Sequence, residues 1–144
     1  MRRCVAGLAE GFIRKAKFVV DQGEYAILHL RDEVRPDLSD ALVWLHASND
    51  HTLVVPSAAA ARYEKTGDVK GRDDGWKLIT IEIDVPLTVF GFFRPFADAL
   101  AEDEVPIVPF AGFRFDHVLV HKTNLDRAVG SLKRVQSSLK KSKK

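Results

Sequence analysis

Residues 79–90 read ITIEIDVPLTVF, and how this stretch is parsed decides the fold. Trp76, Ile79, Ile81 and Ile83 alternate imperfectly with Leu78, Thr80 and Glu82, the pattern of a largely buried strand. Asp84, Val85 and Pro86 then break it, and from Thr88 onward Val89, Phe93, Phe96 and Leu100 recur at spacings of four, three and four. That is one stripe of an amphipathic helix, so the stretch predicts a strand-to-helix corner. Pro95 complicates the helix. Deep inside it the ring would press on the carbonyl four residues back, that of Gly91, so the reading predicts either a bend or a helix that begins later.

Working outward, VPIVPFAGF (105–113) is extended, but Pro106 and Pro109 cannot donate to a ladder, which predicts an edge strand. HVLVHK (117–122) reads as a central strand. Asn124 stands where a cap belongs, before a stripe of Leu125, Ala128, Val129, Leu132, Val135 and Leu139. Residues 75–139 thus spell β-α-β-β-α. Upstream, Tyr25, Ile27 and His29 alternate with Ala26, Leu28 and Leu30, and ALVWLHA (41–47) and HTLVVP (51–56) flank a Ser48-Asn49-Asp50 turn as a hairpin. Ser57 is placed to cap a short alanine-rich helix over 57–65. TGDVKGRDDG (66–75), with three glycines, three aspartates and no period, reads as the seam between two halves.

The chain has 144 residues, 46% apolar and 29% charged, with no apolar run near the roughly 20 residues of a spanning helix, so the expectation is a soluble α+β protein. Cys4 is its one cysteine, which excludes an internal disulfide and every multi-cysteine zinc pattern and fits a reducing, cytoplasmic setting. Residues 1–17 carry five basic side chains against Glu10 alone and read as an N-terminal extension, its composition weakly similar to an organelle-targeting peptide. Six basic residues and no acid fall within 133–144, so the +2 net charge belongs to a basic tail on an acidic body. Such a body lacks the clustered Lys/Arg of a nucleic-acid face.

His117 and His121 are four apart, but on a strand they stand about 13 Å from each other and cannot share a metal. His29, His46 and His51 lie in or beside strands and read as structural. No G-x-S-x-G, phosphate-binding loop or H-E-x-x-H motif occurs, so the expectation is a non-catalytic protein without cofactor or metal. AGFRFDHV (111–118) echoes an aromatic RNA-binding signature, yet Ala111 stands where a basic residue is wanted, Arg114 replaces a small one, and LITIEI lacks the partner aromatic.

GWKLITIEIDVPLTVFGFFRPFADAL (75–100), VPIVPFAGFRFDHVLVHKTNLDRAV (105–129) and the hairpin ALVWLHASNDHTLVVPS (41–57) together resemble the ACT-domain superfamily, and more narrowly small tandem-ACT proteins related to the CASTOR-type amino-acid sensors. The resemblance covers roughly residues 18–136. It implies a ferredoxin-like βαββαβ fold in two ACT-like repeats, with antiparallel sheets and helices packed on one face. The expected division is an extension at 1–17, an incomplete first repeat at 18–72, a second at 73–139 and a basic tail at 140–144. The strand at 25–30 would supply the strand that residues 75–139 lack.

The resemblance further implies a regulatory or sensor protein, a homodimer that binds a small effector such as an amino acid at a repeat or subunit interface. The corner Asp84, Val85, Pro86, Leu87, Thr88 and Val89 is its first element, with Asp84 on the ammonium and the amides near Thr88 and Val89 on the carboxylate. In the bland alternative Thr88 only caps the helix and Asp84 faces solvent. The second element is the link Phe110, Ala111, Gly112, Phe113, Arg114, Phe115 and Asp116. Here phenylalanines replace the small hydroxyl residues of the relatives, which is expected to crowd or desolvate the pocket. The runner-up is an RNA-binding or protein-interaction module of the same fold.

Overall fold

The computed structural model describes residues 2–141, with side chains from residue 7 onward; Met1 and the tail residues 142–144 lie outside the described residues. The chain is a mixed α+β protein with antiparallel strand pairing and helices on one face, as expected, but it divides into two units whose boundaries differ from the predicted ones. One unit is Gln22–Lys77, and the other combines the chain on both sides of it.

Within Gln22–Lys77, β2 (Tyr25–Leu30) pairs antiparallel with β4 (His51–Pro56), and β4 pairs antiparallel with β3 (Val43–His46). Ala26, Leu28 and Leu30 turn one face of β2 inward and meet Leu53, Val55, and Ala60 and Tyr63 of α2 (Ser57–Glu64). Ser57 is the first residue inside α2 rather than its cap. Pro56 occupies the cap position, and the Ser57 amide donates to the Glu24 carbonyl at 2.8 Å.

The expected seam at 66–75 is instead part of the long strand β5 (Val69–Glu82). Its first part, residues 69–77, pairs with β2 from Leu30↔Val69 to Tyr25↔Trp76, with two register shifts. Gly75 there has φ +86°, a conformation suited to a residue without a Cβ. Residues 70–74 are exposed, so no burial pattern marks the segment as a strand.

The other unit begins with α1 (Arg2–Lys15), so residues 2–15 are a helix and not a loose extension. Ile13 and Ala16 are buried in its core, together with Ile79, Phe96, Leu100, Val118 and Leu132. The strand that completes this unit's sheet is β1 (Lys17–Val20), paired antiparallel with β5 from Lys17↔Glu82 to Val20↔Ile79. Tyr25–Leu30 does not fill that role, because its partners are β4 and the first part of β5. On the other side of β5 lies β7 (Asp116–His121), and beyond it the edge strand β6 (Ile107–Ala111), paired from Ile107↔Val120 to Ala111↔Asp116. β7 is central as predicted, with Val118, Leu119 and Val120 fully buried.

Helix α3 (Arg94–Glu102) starts six residues later than Thr88. Pro95 therefore sits in its first turn, where a missing N–H costs nothing and no bend is needed. Helix α4 (Leu125–Lys141) follows a single 3-10 turn at Lys122–Asn124 and buries Ala128, Leu132 and Val135 along the predicted stripe.

Candidate functional site

Between β5 and α3 the chain is irregular, so the corner at 84–89 is a loop and not the entrance to a helix. Pro86–Val89 closes a turn through the Val89 amide, which donates to the Pro86 carbonyl at 2.9 Å. This overturns the expected anion site: the amides near Thr88 and Val89 do not open a helix, and that of Val89 is already bonded. Leu87 is 73% exposed, Val85 packs against the core, and Thr88 lies in solvent.

The loop and the link do meet, through Arg114 of the link. Arg114 Nε and Nη2 each donate to an Asp84 carboxylate oxygen at 3.0 Å, a bidentate pair between two exposed side chains. These hydrogen bonds, ahead of the simple attraction of opposite charges, hold the Asp84 carboxyl below its ordinary range. Asp84 is therefore engaged already, and an effector ammonium would have to displace a guanidinium.

The link is the hairpin between β6 and β7, closed by the Gly112 amide donating to the Phe115 carbonyl at 2.8 Å. A side chain at Gly112 would come within 3.2 Å of His117 Nε2 and 3.1 Å of the Phe115 carbonyl, so the residue leaves room for the imidazole. Neither expected obstacle crowds a pocket. Phe113 is 85% exposed, and Phe115 lies under the Arg114 guanidinium, 4.7 Å from its ring centroid.

A cavity of about 240 Å³ does open beside this hairpin. Phe93, Pro109, Phe110 and Ala111 form its apolar wall, and Asp116 and His117 its polar one. Phe110 stacks on His117 with centroids 5.0 Å apart, and the Thr80 hydroxyl is 3.0 Å from His117 Nδ1. Burial raises the Asp116 carboxyl above its ordinary value, partly offset by His117, and burial lowers His117, partly offset by Asp116. The site can hold a small ligand with an apolar body and a cationic group, which Asp116 would accept.

Of the ten predicted site residues, Phe110 and Ala111 line this cavity, while Asp84, Val85, Pro86, Leu87, Thr88, Val89, Gly112 and Phe113 do not. Asp116, the last residue of the expected link, lines it as well, and sequence reasoning missed Phe93, Pro109 and His117. The available signal was register: placing Ala111 opposite Asp116 and Phe110 opposite His117 brings those four residues to one end of one strand pair. Among the described residues no group of three or more His, Cys, Asp or Glu could hold a metal, and no helix is long and apolar enough to cross a membrane.

No protein-family model and no curated protein matches the chain. Solved structures do share its fold. A protein from Agobacterium tumefaciens is 18% identical with a TM-score of 0.71, over 84% of this chain and 89% of that one. A protein of unknown function from Vibrio cholerae is 22% identical with a TM-score of 0.67, over 92% and 98%. The ligand-free regulatory subunit of aspartate kinase from Thermus thermophilus is 10% identical with a TM-score of 0.62, over 82% and 95%. The chain thus has the ACT-like, ferredoxin-type fold of such regulatory domains.

Proposed function

We propose, from a fold shared with aspartate kinase regulatory subunits, that this chain is a non-catalytic ACT-type regulatory protein that binds a small amino-acid effector. It would do so as a cytoplasmic homodimer of paired ACT-like repeats. The observation that carries the reading is the cavity at the β6–β7 hairpin, where a carboxylate and an imidazole stand against an otherwise apolar wall. Asp116 would receive the effector ammonium, and Phe93, Pro109 and Phe110 its side chain. This assignment moves the ammonium partner from Asp84, which Arg114 engages, to Asp116. Binding can regulate only through differential affinity for two arrangements of the protein.

A thermal-shift and calorimetric screen of the common amino acids tests this. An effector at about 100 times its Kd should add about 2.7 kcal/mol of stability. Asp116→Asn should abolish the gain, and Asp84→Ala should leave it. A screen in which no amino acid stabilises the protein would remove the sensor reading. The runner-up, a protein-interaction module, would then draw on the exposed Leu87, Phe90 and Phe113.

A further inference from the structure

The hairpin β3–β4 carries a side-chain cluster that the proposed effector site does not use. Its two-residue turn is closed by the Ala47 amide donating to the Asp50 carbonyl at 2.9 Å. That bond makes His46 and His51, the next pair in register, a non-hydrogen-bonded cross-strand pair, the kind in which opposed side chains approach most closely. Their Nδ1 atoms are 2.9 Å apart. His51 is 4% exposed and His46 is exposed, so one imidazole is fixed by its surroundings and the other opens the pair to solvent. Trp44 stacks on His46 with centroids 5.6 Å apart, and Asp32 Oδ1 lies 3.9 Å from His51 Nε2.

We propose that His46 and His51 form a surface site for a divalent transition-metal ion that favours tetragonal coordination, copper(II) first and nickel(II) next, bound through the two Nδ1 atoms. Two nitrogens each about 2.0–2.1 Å from one ion and at right angles are about 2.9 Å apart, whereas tetrahedral zinc asks for about 3.3 Å. In the free protein the same spacing is a hydrogen bond in which one Nδ1–H donates to the other ring. Binding replaces it: the donor shifts to its other tautomer, and both Nδ1 lone pairs turn to the ion with no net proton released. Both rings then carry their proton on Nε2, and that of His51 faces the Asp32 carboxylate, the outer partner that commonly orients a metal-binding histidine. No third His, Cys, Asp or Glu joins the pair among the described residues, so water completes the coordination.

The test is titration of the full chain with copper(II) and nickel(II), followed by Trp44 emission and by the absorption and electron paramagnetic resonance of bound copper. A Cys4→Ser, Trp76→Phe background removes the one thiol and assigns the emission to Trp44. One equivalent of copper should bind, quench Trp44 and show nitrogen ligation, more tightly than zinc. His46→Gln, at an exposed position, should weaken binding by about ten-fold or more, whereas His29→Gln should not. Far-UV circular dichroism checks that each variant is folded. Absence of binding at micromolar metal, or binding unchanged in His46→Gln, which would mean an adventitious ion only, overturns the proposal.

Discussion

His117 shows how much one residue's surroundings decide. On a bare strand it is a polar residue of no stated purpose; here it bonds Thr80, stacks on Phe110 and walls a cavity with Asp116. Burial lowers its affinity for a proton, so between its ordinary value of about 6.5 and its lower folded value the unfolded chain binds more protons than the native one. Stability therefore rises with pH through that window and is lost on acidification. We expect the melting temperature to fall from pH 7.5 to 5.5, and the fall to shrink in His117→Gln. Asp116 acts oppositely. Its raised value means that stability declines as pH rises from the ordinary carboxylate value to the folded one; Asp116→Asn should remove that part and, by taking away the carboxylate that partly offsets burial at His117, steepen the loss of stability on acidification. Melting curves across pH for the two variants separate the contributions; an unchanged acid slope in His117→Gln would locate the titrating group elsewhere.

At the scale of elements, legibility followed burial. The strands at 25–30, 51–56 and 117–121 were readable because alternation or an apolar run reports a buried face, and α4 because its stripe is continuous. The first part of β5 was not, since residues 70–74 are exposed and its ladder to β2 is irregular, leaving only glycines and charges to read. At α3 the later-beginning helix that Pro95 left open is the one formed, and not a start at Thr88: Val89 and Phe93 keep helical spacing with Phe96 and Leu100 while standing outside the helix, so periodicity overran its true beginning. With it went the helix terminus that the effector corner needed, whereas Phe110 and Ala111, named from the family resemblance, stand on the wall of the cavity at the β6–β7 hairpin. Pro95 held the decisive signal, since a proline is tolerated in a first turn and not deeper. Pro95→Ala should accordingly change stability by less than about 1 kcal/mol, whereas Ala99→Pro, in the buried middle of α3, should cost about 3 kcal/mol or more. Urea unfolding of the two variants measures both, and a large loss for Pro95→Ala would contradict the placement of the first turn.

At the scale of the whole molecule, the unit that holds the cavity is built from chain segments far apart in sequence. Strand β1 meets β5 at Phe18↔Ile81, and the Gln136 amide donates to the carbonyls of Ile13 and Ala16 at 2.9 and 2.6 Å, joining α4 to the end of α1. Those carbonyls belong to a helix C-terminus, where intrahelical partners run out. The buried residues here are Ala9 and Ile13 of α1 and Ala16 just past its end, mostly small residues among basic ones, which is why residues 1–17 read as an extension. A loose extension and an integral helix differ in a measurable way. If α1 belongs to the core, Ile13→Ala, at a side chain 1% exposed, should cost about 2–5 kcal/mol through lost burial and the cavity left behind. Leu8→Ala on the same helix, 54% exposed, should stay within about 0.5 kcal/mol. Urea midpoints with unchanged slopes would give both values, and equal, near-zero effects would return residues 2–15 to the status of a solvated arm, leaving β5 without the helix that leads into its partner β1.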